Sequence, residues 1–408
     1  VPAKSQAQRF DDAVAEPFER PRLVKYTDLE DLLALDPVHD VIAAPLDERF
    51  AALERAFATT SARAQATNYD IVLAGRPIRL VFKSPALYER FTPAFAHLKS
   101  LPSTPDATIC ISDSQTAGIV PEIDPETFGD GLGQFSSQFP HAGIRCCYVP
   151  DSKALFCFDP TRKQGFFWAL ALDALQSWDF SSPLRLLLAW WAESLGAQLA
   201  HGAAIGTKGG AILLGGPSGV GKSTLTLACL QCGLQILGDD YVWVEPGAPP
   251  RVASLYSTAR IHRVPLREHF PHLTSRVGHN NGEKSCLYLS DIVRERLTAQ
   301  LPLRAVAALS YSSRPLPLLQ AATPMDVLTA LAPSSLLQLS GALPSGLNRL
   351  GDIVQQTQTF TFEAGADYRA NAEAIATLIA NLSASTVPMH PDAKSQQSEP
   401  PLCSRTMP

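Results

Sequence analysis

The chain has 408 residues, 46% of them hydrophobic, which is enough for two or three domains with at least one sizeable core. A net charge of −5 gives no basis for a nucleic-acid partner, because phosphate backbones attract basic surfaces. The apolar run 186–191 is far shorter than the roughly 20 residues a bilayer span needs, so no membrane partner is expected.

Residues 1–20 read as a loose arm without a secretory leader, which points to a cytoplasmic setting. The eight cysteines lack the paired spacing of a zinc site, and in that setting, where thiols stay reduced, they read as mostly packing residues. Residues 21–144 mix helix and strand signals and form an α+β region. A helix is predicted over 53–63, a hairpin over 69–83 turning at Gly75-Arg76-Pro77, a helix over 85–98 and a strand over 107–111. The glycine-rich stretch 129–144 reads as a loop. No motif in this region carries chemistry, which leaves acceptor recognition as its expected role.

A second domain is expected over 145–382. It opens with short strands over 145–149, 154–158 and 165–169. Ser182-Pro183 reads as a helix start, with the serine as cap and the proline in the first turn, for a helix over 184–195 that ends near Gly196. A strand over 211–214, a helix over 223–232 closed by Gly233, and a strand over 234–237 follow, an α/β arrangement. Residues 383–408 are rich in Ser, Pro and Gln, cannot offset their ordering entropy, and read as a disordered tail.

The clearest signal lies between the strand over 211–214 and the helix that follows. Gly216, Pro217, Ser218, Gly219, Val220, Gly221, Lys222 and Ser223 match the phosphate-loop pattern G-x-x-x-x-G-K-S/T, and Thr224 continues it. The glycines permit backbone conformations that a Cβ would block, so that N–H groups can surround an anion. The helix start adds its positive end, Lys222 places a charge on the outer phosphates, and the Ser223 hydroxyl can ligate magnesium. The expected cofactors are therefore ATP and Mg2+.

Asp239 and Asp240 end the next strand, where an open sheet lines its ligand crevice. One carboxylate can take a proton from an incoming hydroxyl while the other helps hold the metal. A surface turn is the plainer alternative. His201 precedes the strand that feeds the loop and could place a donor near the transferred phosphoryl group; a structural histidine is the alternative. Four histidines, His262, His269, His272 and His279, crowd one segment. A zinc site is conceivable there, but a mobile acceptor-binding loop is the preferred reading.

His201-Gly202, the loop from Gly216 to Ser223 and Gly238-Asp239-Asp240 together resemble the catalytic domain of HPr kinase/phosphorylase, and more closely the divergent HPr-kinase-related proteins. The resemblance covers about 145–382. It implies an α/β fold, a P-loop kinase core with a mixed sheet like that of HPr kinase and phosphoenolpyruvate carboxykinase, preceded by the smaller α+β region. It further implies a kinase that transfers the γ-phosphoryl group to a hydroxyl, a serine of a protein or peptide. Asp239 becomes the base, Lys222 stabilises the phosphates, Ser223 and Asp240 attend the metal, and His201 lies at the site. Because such relatives are often oligomeric, a homo-oligomer is implied as well. The stretch 252–261 departs from the family, with neither its glycine pair nor its metal-binding glutamate, so neither the reverse phosphorylase reaction nor HPr as substrate is implied. Arg260 and Lys284 could reach phosphates, or be structural or solvated. The rival readings are a small-molecule kinase of the same core, an ATPase without acceptor, and a nucleotide-binding scaffold.

Overall fold

The computed structural model describes residues 46–59, 66–121, 143–339 and 343–384. All of them belong to one compact unit that begins at Ala43. The arm expected over 1–20, nearly all of the loop expected over 129–144 and the tail beyond residue 384 lie outside the described residues.

The first sheet starts with a hairpin of β1 (Thr67–Leu73) and β2 (Arg76–Phe82), whose buried positions alternate as a half-buried strand pair requires. Its turn is Ala74-Gly75, with φ of 50° and 78°, a left-handed pair that matches strand twist. Arg76 and Pro77, expected in the turn, already belong to β2. Ser84 then caps α2 (Pro85–Phe91) by accepting from the Leu87 N–H; α1 (Leu46–Thr59) precedes the hairpin. The helix expected to reach residue 98 gives way to a 3-10 segment, Thr92–Leu98, where Pro93 has no N–H to continue the ladder.

β3 (Ala107–Asp113) runs parallel to β2 on one side and to β6 (Gln164–Ala169) on the other. β6 in turn closes an antiparallel meander with β4 (Arg145–Val149) and β5 (Ala154–Asp159). The order is β1-β2-β3-β6-β5-β4. A domain boundary at 144/145 would therefore divide this sheet. The buried strands β3 and β6 satisfy their backbone groups on each other, so neither half is complete alone.

On one face of this sheet α1 buries Phe50 and Leu53, with the Phe50 ring edge-on to Phe166 at 5.1 Å. Its residues end at Thr59, and positions 60–63 of the helix expected there lie outside the described set. On the other face, after the short α3 (Ser177–Ser181), lies α4 (Arg185–Ser194), buried from Leu186 to Glu193. A helix apolar on all sides must be enclosed. α4 fills the space between this sheet and the next, with Trp191 5.1 Å from Trp243. Near its end the buried Glu193 pairs with Arg145 of β4 and lies 3.9 Å from Arg349.

The second sheet takes β7 (Gln198–His201), β8 (Ala203–Thr207), β9 (Gly210–Gly215), β10 (Gln235–Gly238), β11 (Tyr241–Glu245) and β12 (Arg251–Ser254). β13 (Thr258–His262), β14 (Val277–Asn281) and β15 (Lys284–Tyr288) form a small separate sheet in the order β13-β15-β14. With α6 (Arg263–His269) they make up the histidine-rich segment, which is regular structure rather than the expected loop. The long β16 (Gln300–Tyr311) then joins the second sheet, with β18 (Gln358–Ala364) and β17 (Leu318–Ala321) beyond it.

β9 sits between β8, antiparallel, and β16, parallel, and β16 also pairs parallel with β18. Two helices, α5 (Lys222–Gln231) and α9 (Tyr368–Ala384), cover one face through Leu225, Cys229, Ile375 and Ile379. α7 (Pro324–Leu336) and α8 (Leu343–Gln355) cover the other through Val327, Leu331, Leu350 and Ile353. The architecture is mixed α/β with mixed sheets. α9 includes Ser383 and Ala384, two residues expected in the tail.

Cys110, Cys147, Cys229 and Cys286 are buried thiols, as packing residues would be. Cys146 and Cys157 depart from that reading. They face each other across β4 and β5 and are joined as a disulfide. Among the described residues no helix is long and apolar enough to cross a membrane.

Candidate functional site

Strand β9 ends at Gly215 and α5 begins at Lys222, so the glycine loop turns directly from the middle of the sheet into a helix. Gly221 has φ 102°, a conformation a side chain would strain. At Gly216 a Cβ would come 2.9 Å from the Leu309 carbonyl oxygen of the neighbouring β16. Lys222 is only 7% exposed, and its Nζ donates to the carbonyls of Gly216 at 2.8 Å and Pro217 at 3.2 Å. Burial lowers its pKa, against the pull of Asp239 and Asp240. Such a loop offers backbone N–H groups, a helix start and a buried ammonium to one anion.

The register of the sheet sets the next group. His201 ends β7 directly opposite Tyr241, the first residue of β11, so the preceding Asp240 falls beside the histidine. His201 Nε2 donates to Asp240 Oδ1 at 3.0 Å, and the Gly202 N–H donates to the Asp240 carbonyl at 2.9 Å. Glycine is required at 202, because a Cβ there would lie 2.7 Å from the Leu214 carbonyl oxygen. The second oxygen of Asp240, Oδ2, accepts from the Ser182 hydroxyl at 2.9 Å. Ser182 is therefore not the cap of α4. It closes α3, and α4 starts behind Leu184 with no side-chain cap.

The two adjacent carboxylates have opposite surroundings. Burial would raise Asp240, but the hydrogen bond and charge of His201, the charge of Arg260 and the Ser182 hydroxyl outweigh it and hold the carboxyl well below the ordinary range. Asp239 is almost fully buried, and its burial raises the pKa in spite of the nearby Ser223 and Thr226 hydroxyls and the Arg260 N–H, which donates to Oδ2 at 3.1 Å. Oδ1 of Asp239 has no hydrogen-bond partner.

These groups line one cavity of about 600 Å3. Ser218 to Thr224, His201, Asp239 and Asp240 all contribute to its wall, while Gly216 and Pro217 act from behind through Lys222. Arg260 and Lys284 also face it. Arg260 and His262 share one face of β13, and Lys284 pairs with His262 across the ladder, so side-chain alternation brings these cations to the same side. Arg185, Tyr311 and Tyr368, which no sequence motif marks, and Ser182, which the sequence offers only as a helix cap, are brought by the fold to the cavity or its carboxylates from distant elements.

The Ser223 hydroxyl and the unpartnered Asp239 oxygen fit magnesium, which takes one or two protein oxygens and completes its shell with phosphates and water. No group of three or more His, Cys, Asp or Glu among the described residues is arranged to hold a metal. The clustered histidines separate accordingly: His269 lies 4.4 Å from the Tyr368 ring and His279 lies 6.0 Å from Phe180.

No protein-family model matches the sequence, and no curated protein matches it. Among solved structures, the Hpr(Ser) kinase/phosphatase from Coxiella burnetii is similar over 46% of this chain and 97% of its own, at 12% identity and a TM-score of 0.27. At that score the likeness carries no weight for fold or chemistry, and the functional reading stands on the residues themselves.

Proposed function

We propose that the chain is an ATP- and Mg2+-dependent kinase that transfers the γ-phosphoryl group to a hydroxyl, with a serine of a protein or peptide as the acceptor suggested by the resemblance to HPr-kinase-related proteins. A P-loop kinase core of that kind would be the second sheet with α5 and α9. The observation that carries the proposal is the meeting of the glycine loop, Lys222, Ser223 and two carboxylates of opposite character on one cavity.

In this reading Lys222 leaves the Gly216 and Pro217 carbonyls for the outer phosphates of the nucleotide. Magnesium, when bound, neutralises charge on those phosphates, and Ser223 holds it. The surroundings of the carboxylates support an exchange of the roles expected for them. Asp239, beside Ser223 and with one oxygen unpartnered, suits the metal. Asp240, held by His201 and Ser182, suits the acceptor. The acceptor oxygen bonds to the γ-phosphorus as the bond to the β–γ bridging oxygen breaks, its proton passes to Asp240, and ADP leaves. A carboxylate with a lowered pKa is a weak base at the outset. That fits a loose transition state in which the carboxylate first orients the hydroxyl and takes its proton late.

The test is label transfer from γ-labelled ATP and Mg2+ into a lysate of the source cells, separated into macromolecular and small-molecule fractions. Label in a protein or peptide band, lost in Asp240→Asn, is the expected result. Label confined to a small metabolite would replace the acceptor class, and release of free phosphate alone would refute the transfer reading.

A further inference from the structure

We infer that the acceptor carries an anionic group, a carboxylate or a phosphate, which binds the Arg185 guanidinium on the Asp240 side of the cavity. The inference rests on the transfer reading above and adds the charge of the acceptor to it. Arg185 lines the cavity, yet its Nε is buried without a hydrogen-bond partner, and its guanidinium makes no ion pair with any described residue. The neighbouring cations of the same block behave differently, since Arg145 and Arg349 both converge on Glu193.

Asp179 feels the charge of Arg185 without forming a salt bridge to it, and its Oδ2 already accepts from the Ser152 hydroxyl at 2.6 Å and the Gln176 N–H at 2.9 Å, while both oxygens of Asp240 are held by His201 and Ser182. Arg185 is half-buried, and of the donors in its fixed guanidinium fork it is Nε that is cut off from water without an acceptor, which is costly. Its place at the start of α4, where a helix favours negative charge, adds to that cost. The chain enters α4 through Leu184 at φ 61°, an uncommon conformation for a residue with a side chain, and this directs the next residue, Arg185. A bound anion would remove both costs through paired N–H···O bonds.

The cations differ in the groups they act on. Lys222 interacts electrostatically with Asp239, Asp240 and Lys284, and Arg260 acts on both Asp240 and Tyr241, so these two serve the loop and the carboxylates next to it. Arg185 instead interacts with Asp179, Tyr241 and Tyr256, none of them on the loop. It therefore remains for the acceptor.

The experiment is an equilibrium titration of inorganic phosphate and, separately, of acetate into the full chain saturated with the Mg2+ complex of a non-hydrolysable ATP analogue. Filling the loop removes the competing anion site. At least one of the two anions should saturate the wild type, bind at least about 10-fold more weakly to Arg185→Gln, and recover in part in Arg185→Lys. Phosphate binding alone marks a phosphorylated acceptor and acetate binding marks a carboxylate. Absence of binding by either anion in the wild type, or unchanged binding in Arg185→Gln, would overturn the inference. If the analogue itself fails to bind, the transfer reading falls instead. The same titration in a Lys222→Met background without nucleotide then decides Arg185 separately.

Discussion

Asp239 and Asp240 are consecutive in the chain, and they face opposite ways in energy. Asp240 gives both oxygens to protein donors and gains from being charged. Asp239 is the more deeply buried, keeps one oxygen unpartnered and loses from being charged. The first arrangement stabilises the folded chain and presets a polar group. The second costs stability, and in the proposed reading that cost is offset by a bound cation. The comparison teaches that two identical side chains acquire opposite electrostatic surroundings from the elements around them, β7 and α3 for Asp240 and α5 and β13 for Asp239.

Substitutions can break this contrast, beginning with the largest effect. Lys222→Ala should abolish nucleotide-dependent transfer altogether, read by calorimetric ATP binding as well as by label transfer, because the loop loses its only lysine. Asp240→Asn should lower kcat by roughly 10²–10⁴, the worth of a positioned base, while leaving Mg2+-ATP binding within about twofold. Equal losses in kcat and in nucleotide affinity would contradict that division.

Stability sharpens the comparison further. Asp239→Asn should raise the melting temperature at pH 7 by about 2 °C per kcal/mol recovered, as it removes a buried charge, even while it abolishes transfer. The sign follows from the raised pKa: ionisation opposes folding, an effect absent below the unfolded value near about 3.9 and complete above the folded one. Asp240→Asn should do the reverse, costing about 1.5–3 kcal/mol for lost charged hydrogen bonds. Because its folded pKa is depressed, that stabilisation is fully present above about pH 3.9 and fades only as the pH falls through the folded value. Ser182→Ala, which removes one donor, should have the smallest effect, about 1 kcal/mol in denaturant melts, and an unchanged melt would remove Ser182 from the account.

How much of this was legible in the sequence depends on how local each signal is. The loop, Lys222-Ser223, the Asp-Asp pair and His201 could be read because anion and metal chemistry demand those residue types at short, fixed spacings, and the fold brings them to one cavity or sets them directly behind it. The hairpin is legible to within two residues, since Gly75 marks the turn but not which partner shares it. The six-stranded sheet was not legible, because β3 meets β6 only across a long stretch of chain, and no local pattern at residue 145 reports that pairing. The role of Ser182 is not legible because Ser-Pro before an apolar run serves equally well as a helix cap, and its actual partner lies 58 residues on. Arg185 carried no signal at all. One cation beside an apolar run looks solvated until the fold shows its Nε buried in the cavity wall without an acceptor.

The most direct test of the contrast between the two carboxylates is electron paramagnetic resonance of Mn2+ added in place of Mg2+ to the ADP complexes of the wild type, Asp239→Asn and Asp240→Asn. The account predicts a protein-bound Mn2+ signal in the wild type and in Asp240→Asn, and its loss in Asp239→Asn. Retention in Asp239→Asn with loss in Asp240→Asn would contradict it and return the metal to Asp240.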